Sequence, residues 1–472
     1  MTIPRPAPVC PSEREDRVAA RTKFSYALGG TIEIFGHWVY GNLANPVFVT
    51  FFGLTPTLVN SALGTTRFVG ACLDPLVGWV SDNTRSRWGR RRPFMLAGSV
   101  LSGLALPCLF MVPRTFDHRQ IFWFMVVSTA LYALFVSVHD MPHQSLGAEL
   151  TPAYHERTSV MSWKAYVQKT AGVIAGAGFS FATIATFTDP STGRSDMARG
   201  ATLFAALCGA VMVLSGLLNF FWVKERYYQK ARVQKRSRFA AGFAEAFRCR
   251  PFVILLGITS MYAIPTSISG ALGYYATTYY VCPHDLHEAG NLTTWSGVAY
   301  AVMGIGGVPV AARLSRRRGK KWALSCTLFA STIAFASSWW LLTPSLPWLS
   351  VLWAGLNGFA ATGLWVLLPS MCADSIDFAE VANGKRLEGV YVSTYTSTLK
   401  LGMALSTFAV GPLLDHVTRF DPRLGPHQTA HTLWWIRVLF LGIPVAALTV
   451  ALVLSQLFPL TSERMAALRS EL

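Results

Sequence analysis

The sequence predicts an all-α membrane protein of twelve transmembrane helices in two six-helix halves, and three observations predict it. Of 472 residues 52% are apolar and only 14% charged, whereas a soluble chain carries roughly 25% charged residues to cover its water-facing surface. Twelve apolar segments come close to or exceed the roughly 20 residues a helix needs to cross a bilayer. Lysine and arginine crowd into alternate connections between them. This composition excludes an ordinary cytosolic enzyme, a disordered chain and a secreted disulfide scaffold. The eight cysteines are scattered, with no CxxC pair or metal-ligand spacing.

A polar, basic tail over 1–23 lacks the apolar run of a signal peptide. The first span, 24–52, carries Glu33, His37 and Tyr40, spaced i, i+4, i+7 on one helix face. Span 57–80 carries Arg67 and Asp74, two turns apart. Spans 93–112 and 120–142 follow, and the fourth holds Ser137 and Asp140, with His139 beside them and Gln144 just past its end. Span 166–187 carries Lys169, and 200–223 closes the first half. Beyond a basic linker, 224–251, come spans 252–280, 292–312, 322–342 and 347–371, the last with Trp365. Span 389–414 bears Thr396 and Lys400 one turn apart, and span 432–457 precedes a short tail, 458–472.

The net charge of +17 follows from topology rather than from nucleic acid. With the N-terminus inside, inner loops hold Arg85, Arg87, Arg90, Arg91 and Arg92 after span 2, nine basic residues from Lys224 to Arg250, and six from Arg313 to Lys321. The outer loops are far poorer in them, so both termini are expected in the cytoplasm. An internal repeat supports the division into halves. Arg87-Trp88-Gly89-Arg90-Arg91-Arg92 after span 2 matches Arg317-Arg318-Gly319-Lys320-Lys321-Trp322 after span 8, and Ala148-Glu149 matches Ala373-Asp374. Duplicated units of this kind build many carriers, with the solute site near the midplane between them.

A charge at the bilayer centre costs about 2.5–3.5 kcal/mol on insertion scales, so each asks for a partner or a task. Arg67 reads either as a counter-ion for Asp74 or as part of a site. Glu33 and Lys169 read as site residues or as groups snorkelling to the interface, and His139 as a packing residue or a ligand. Asp74, Asp140 and Lys400 point most directly to function, because a carboxylate in this setting binds a cation or takes up a proton. The deep Trp365 can stack on a sugar face.

The run Asp74-Pro75-Leu76-Val77-Gly78-Trp79 through Ser81-Asp82-Asn83-Thr84-Arg85 to Arg92-Pro93-Phe94 resembles the signature of the glycoside–pentoside–hexuronide:cation symporters, the melibiose permease-like family of the major facilitator superfamily. His139-Asp140-Met141-Pro142 with Ser145-Leu146 is similar to that family's fourth-span element. Ala373-Asp374-Ser375-Ile376-Asp377 with the run from Gly384 to Gly389 is similar to its element in the loop after span 10. The resemblance implies a major facilitator fold and cation-coupled uptake of a sugar, glycoside or uronide by alternating access. It implies that Asp74 binds the coupling cation with Ser137 as a hydroxyl ligand, and that Asp140 recognises the solute near it. Lys400, Thr396, Trp365 and Arg67 match further site positions.

Departures from the family pattern bear on the ion. Gly70 and Leu73 stand where the family has an aspartate and an asparagine, and Ile34, Gln144 and Ala165 replace its sugar-site aspartate, tryptophan and arginine. A site with one carboxylate fewer is a poor oxygen cage for Na⁺, so H⁺ is the expected coupling ion, with His139 nearby. Glu33, His37, Tyr40 and Gln144 are then expected to line the solute site. Asp82 and the arginines after span 2 are expected to lock the cytoplasmic side, with Glu149, Asp374 and Asp377 as acidic partners. No cofactor and no nucleic acid are expected; the partners are a small solute, its coupling cation and the lipid bilayer of a bacterial inner membrane, and the chain is expected to act as a monomer. Two alternatives remain: a lysolipid symporter on the same scaffold, and an intramembrane prenyltransferase holding Mg²⁺ at Asp374 and Asp377. The second lacks another aspartate-rich motif, and no P-loop, GxSxG or HExxH occurs.

Overall fold

A computed structural model describes residues 18–150, 154–184, 187, 196–223, 247–283, 285–383 and 388–460. The tails and most of the linker fall outside them. So do the side chains of Asp82 and Glu149, two of the residues assigned to the cytoplasmic lock. Twelve long helices account for most of the described chain: α1 Ala20–Ala44, α2 Pro56–Asn83, α3 Arg92–Cys108, α4 His118–Glu149, α5 Tyr154–Gly176, α6 Met197–Trp222, α7 Arg250–Tyr275, α8 Leu286–Arg318, α9 Lys320–Leu341, α10 Leu349–Asn383, α11 Glu388–Pro412 and α12 Ala430–Leu457. One-turn helix Gly178–Ala182 extends α5, and wide π-helical turns extend α1 (Asn45–Phe51), α7 (Ala276–Val281) and α11 (Leu413–Thr418).

Local sequence sets the helix starts. Asp117 accepts from the Gln120 backbone N–H at 2.7 Å while Gln120 Oε1 accepts from that of Asp117 at 2.9 Å, a reciprocal cap on α4. Asp285 accepts from the His287 and Glu288 N–H groups and opens α8. Glycines Gly89 and Gly319, the matched centres of the repeat, both sit at positive φ, 108° and 86°. A side chain there would crowd the following carbonyl, so glycine makes both tight connections possible. Prolines inside α2 and α4, Pro75 and Pro142, lie one and two residues past Asp74 and Asp140. Each removes a backbone N–H beside a polar side chain, which neighbouring helices make tolerable.

Eight of the twelve, α4 and α6 to α12, are long and apolar enough to cross a membrane on length and composition alone. Helix α3 is 17 residues long, while α1, α2 and α5 are interrupted by Lys23, Glu33 and His37, by Arg67 and Asp74, and by Lys164 and Lys169 respectively. The expected span boundaries shift accordingly. Helix α5 begins at 154 rather than 166, because its first turns contain His155, Glu156, Arg157 and Lys164, which an apolar scan cannot see. Helix α10 runs to Asn383 rather than stopping near 371, which corrects the placement of Asp374 and Asp377: both belong to the helix, not to a loop.

Within the first six helices, α2 packs on α4, α1 on α5 and α6, and α3 on α4 and α6; within the last six, α8 packs on α10, α7 on α11 and α12, and α9 on α10 and α12. The α3–α6 crossing is close because Gly103 and Gly209 face each other, where a Cβ on either would strike the other's carbonyl oxygen. The two sets meet along α2–α11 and α5–α8. A network at one end ties them together. Thr50 Oγ1 lies 2.5 Å from Tyr274 Oη and 2.9 Å from Tyr279 Oη, and Tyr275 Oη donates to Asn45 Oδ1 at 3.1 Å. Asp415 accepts from the Thr57 N–H at 3.1 Å, and Ser180 donates to Asn291 at 2.6 Å.

At the other end, which carries the basic connections, several bonds run within one set. Arg92 caps α6 by donating to the Phe220 carbonyl through Nε at 3.1 Å and lies over the Phe220 ring. Lys320 pairs with Asp374 at 2.6 Å, and Lys321 donates to the Gln456 carbonyl at 2.6 Å. Arg85 and Arg87 are exposed, Arg87 lying over the Trp88 ring, while Arg91 is buried and Arg90 half-buried.

Candidate functional site in the helix interior

Three carboxylates sit among the first six helices, each with its own partners. Asp74 on α2 is buried; Ser137 of α4 donates to its Oδ1 at 2.7 Å, and the ammonium of Lys400 on α11 pairs with Oδ2. The bond from Lys400 joins the two helix sets at mid-depth. One turn past Ser137, Asp140 is buried too, with His37 Nε2 at 3.2 Å from Oδ2 and His139 Nδ1 at 3.2 Å from Oδ1. One turn before His37, Glu33 receives Lys164 Nζ at 2.8 Å and Gln168 Nε2 at 3.0 Å from α5. Each buried carboxylate therefore has both charge compensation and hydrogen bonds, the condition under which ions persist in an apolar interior.

Arg67 and Lys169, two cations of the interior, show no carboxylate partner among the described residues. Arg67 on α2 donates to Ser267 Oγ at 2.9 Å and Thr407 Oγ1 at 3.1 Å, on α7 and α11. Thus it does not neutralise Asp74 as a structural pair; Lys400 does, and Arg67 instead reaches across to the other helix set. Lys169 on α5 lies 5.3 Å from the centre of the Tyr300 ring on α8. It is engaged within the helix interface rather than snorkelling to a surface.

The remaining sequence-assigned residues divide. His37 is 42% exposed at its side chain and Trp365 is 40% exposed, with its ring edge-on to Tyr262. Gln144 and Thr396 are half-buried, and the Thr396 hydroxyl bonds back to its own helix at Val392 and Ser393. Tyr40 departs from the expected lining role. It is only 3% exposed, packed against Phe48 and Phe110, and belongs to the apolar core. His139 is fully buried and stacks on His143, whose ring stacks in turn on Tyr26; it packs and binds Asp140 at once. Sequence reasoning missed Lys164, Gln168 and His143. The first two have a usable signal, an i, i+4 pair on one face, hidden because the fifth span was expected to start later.

A separate hollow of about 730 Å³ lies on the opposite face of α1, between α5 and α6, lined by Phe24, Phe35, Trp163, Ile174, Phe204 and Leu207. It is apolar and away from the ionisable groups.

An all-helical chain with ion pairs in its interior, one of them, Lys400–Asp74, joining the two helix sets, is the build of a membrane transporter. The chain belongs to the MFS/sugar transport protein family, whose model matches residues 33–462. It is similar to the putative glycoside/cation symporter YagG of Escherichia coli (strain K12), 25% identical over 97% of this chain and 95% of that one. It is also similar to the glucuronide carrier protein homolog of the same organism, 21% identical over 94% of this chain and 93% of the other. Among solved structures, a D-xylose-proton symporter shares the fold with a TM-score of 0.60 at 15% identity, covering 91% of this chain and 96% of that one.

Proposed function

We propose that the protein is a proton-coupled symporter of a sugar, glycoside or uronide. In this reading all twelve long helices span the membrane as two six-helix halves, 24–223 and 252–457, with the linker 224–251 and both tails, 1–23 and 458–472, in the cytoplasm. A monomer suffices, because the partners of Asp74, Asp140 and Glu33 all come from one chain. We read the arrangement as inward-facing: the network around Thr50, Tyr274 and Tyr279 would seal the outer end and leave the space between the halves open toward the basic loops. In the opposite state Arg85, Arg87, Arg90, Arg91 and Arg92 would close the inner end against Asp374 and Asp377, with Asp82 and Glu149 contributing.

One observation carries the reading: Asp74 is bonded simultaneously by Ser137 of its own helix set and by Lys400 of the other. A group held from both sides at mid-depth makes closure depend on its charge partners, which is what coupling between ion and solute requires. Near Asp74 the described neighbours supply one hydroxyl and one ammonium, too few oxygen ligands for Na⁺, which favours H⁺ as the coupling ion. Among solutes, an acidic sugar is favoured by Arg67 and Lys169, two intramembrane cations whose described partners are hydroxyls and a ring. Trp365, Gln144 and Thr396 would complete the solute lining.

The test is uptake by proteoliposomes given methyl glycosides, pentosides and glucuronides under an imposed pH or Na⁺ gradient. Acceleration by an inward proton gradient, greatest for a glucuronide, is the expected result. Acceleration by Na⁺ alone overturns proton coupling, and uptake confined to lysolipids overturns the solute class.

A further inference from the structure

We infer that the coupled proton is carried by the imidazole of His37, with Asp140 as its buried counter-ion and His139 as the residue that positions Asp140. The inference rests on the proton-coupled reading above and deepens it. Three carboxylates are candidates, and their partners differ in kind. Protonating Asp74 would strand the Lys400 ammonium, and protonating Glu33 would strand that of Lys164. Asp140 alone is bonded to two imidazoles, side chains that can accept and release a proton. Of these two, only His37 is accessible from outside the packed interior. Its side chain is 42% exposed, while that of His139 is fully buried.

The nitrogens assign the roles further. His37 Nε2 bonds Asp140 Oδ2, and His37 has no other described hydrogen-bond partner, which leaves Nδ1 to exchange. A hydronium in the cleft gives its proton to Nδ1 and leaves water; the imidazolium then pairs with the Asp140 carboxylate. Release is the reverse step, from Nδ1 to water, with Nε2–H remaining on Asp140. His139 Nδ1 donates to Asp140 Oδ1, and its Nε2 is buried without a described partner. The α3 backbone at Gly98 lies so close over His139 that a Cβ there would collide with it. His139 thus has no visible proton route and fixes the carboxylate. His143 Nε2 bonds the Tyr26 carbonyl at 2.9 Å, and its ring stacks between those of His139 and Tyr26. The other ionisable groups near this cluster are Tyr132 on α4, Tyr26 on α1 and Lys164 on α5; α3 offers backbone and α6 the amide of Asn219.

The experiment compares wild type, His37→Gln and His139→Asn in proteoliposomes, with methyl β-D-glucuronide and methyl β-D-xyloside as solutes. Each is read as the ratio of pH-gradient-driven accumulation to equilibrium exchange. Glutamine keeps a donor where Nε2 stood but cannot take a proton, so His37→Gln should lower the ratio at least tenfold. Asparagine keeps the Nδ1-like donor, so His139→Asn should lower both rates together and leave the ratio near that of wild type. An unchanged ratio in His37→Gln overturns the assignment, as does a tenfold loss in His139→Asn alone. If wild type itself ignores the pH gradient, the proton-coupled reading fails and this one with it, an outcome distinct from failure of the variant alone. Carbethoxylation of His37 in the wild-type protein, followed by peptide mass spectrometry, provides a check independent of any variant. Its rate should rise at least tenfold from pH 5 to pH 8, and a flat profile overturns the inference.

Discussion

The two ends of the helix bundle are stabilised by different chemistry. Where α1 and α7 finish, short neutral hydrogen bonds cross from one helix set to the other, through Thr50, Tyr274, Tyr279, Asn45 and Tyr275. Where the basic connections lie, charged bonds are made within a set, as in Arg92 on the Phe220 carbonyl and Lys320 on Asp374. Neutral bonds between hydroxyls and amides contribute about 0.5–1.5 kcal/mol each. A seal made from a few of them is strong enough to favour one state and weak enough to be undone by solute or ion. Charged groups retained within each set keep the separate halves rigid while the seam between them changes.

That contrast can be broken at several depths. The largest effect is expected at mid-depth, where Lys400→Ala strands the Asp74 carboxylate. Removing one partner of a buried pair costs about 3–5 kcal/mol, and solute exchange in proteoliposomes should fall more than a hundredfold, with partial recovery in Lys400→Arg. Exchange within threefold of wild type would show that the link is dispensable. Next comes the neutral seal. Combining Thr50→Val with Tyr279→Phe removes both hydroxyls of one bond, about 1–1.5 kcal/mol. Labelling of a cysteine placed at Val49 by an impermeant maleimide should rise roughly tenfold.

At the basic end effects should be smaller and confined to stability. Gly319→Ala, at φ 86°, should cost about 1–2 kcal/mol and lower the unfolding temperature in detergent by a few degrees. Arg92→Ala, which loses the cap on α6 and its ring contact, should cost about 1 kcal/mol with the same readout. A larger loss from Arg92→Ala than from Lys400→Ala, measured by exchange, would invert the comparison.

Much of this arrangement was legible in the sequence because lipid makes polar residues conspicuous. Asp74, Ser137, Asp140 and Lys400 stand out against apolar runs, and the structure brings them within one turn or one bond of each other. The paired glycines of the repeat were readable as a motif, although their shared positive φ was not. What stayed hidden depended on long-range pairing or on polar helix ends. Arg67 shares a face with Asp74 at a spacing of seven, yet two hydroxyls from other helices hold it instead. Lys164 fell outside the apolar window that opened at 166 although its helix continues through it, which left Gln168 without its i−4 partner. Tyr40 shares a face with His37, but the aromatic pair Phe48 and Phe110 closes over it, and no periodicity reveals a neighbour's bulk.

The wide turns that end α1 and α7 have a consequence for how the seal is aimed. A π-turn holds about one residue more than an α-turn, so every side chain beyond it is rotated by about 100° relative to an uninterrupted helix. Thr50 and Tyr279 both lie inside such turns, and their meeting depends on that added phase. Deleting one residue from 46–49 would rewind the backbone into ordinary α-helix and swing Thr50 away from both tyrosines, unlatching the gate by rotation with every side chain of the latch still present.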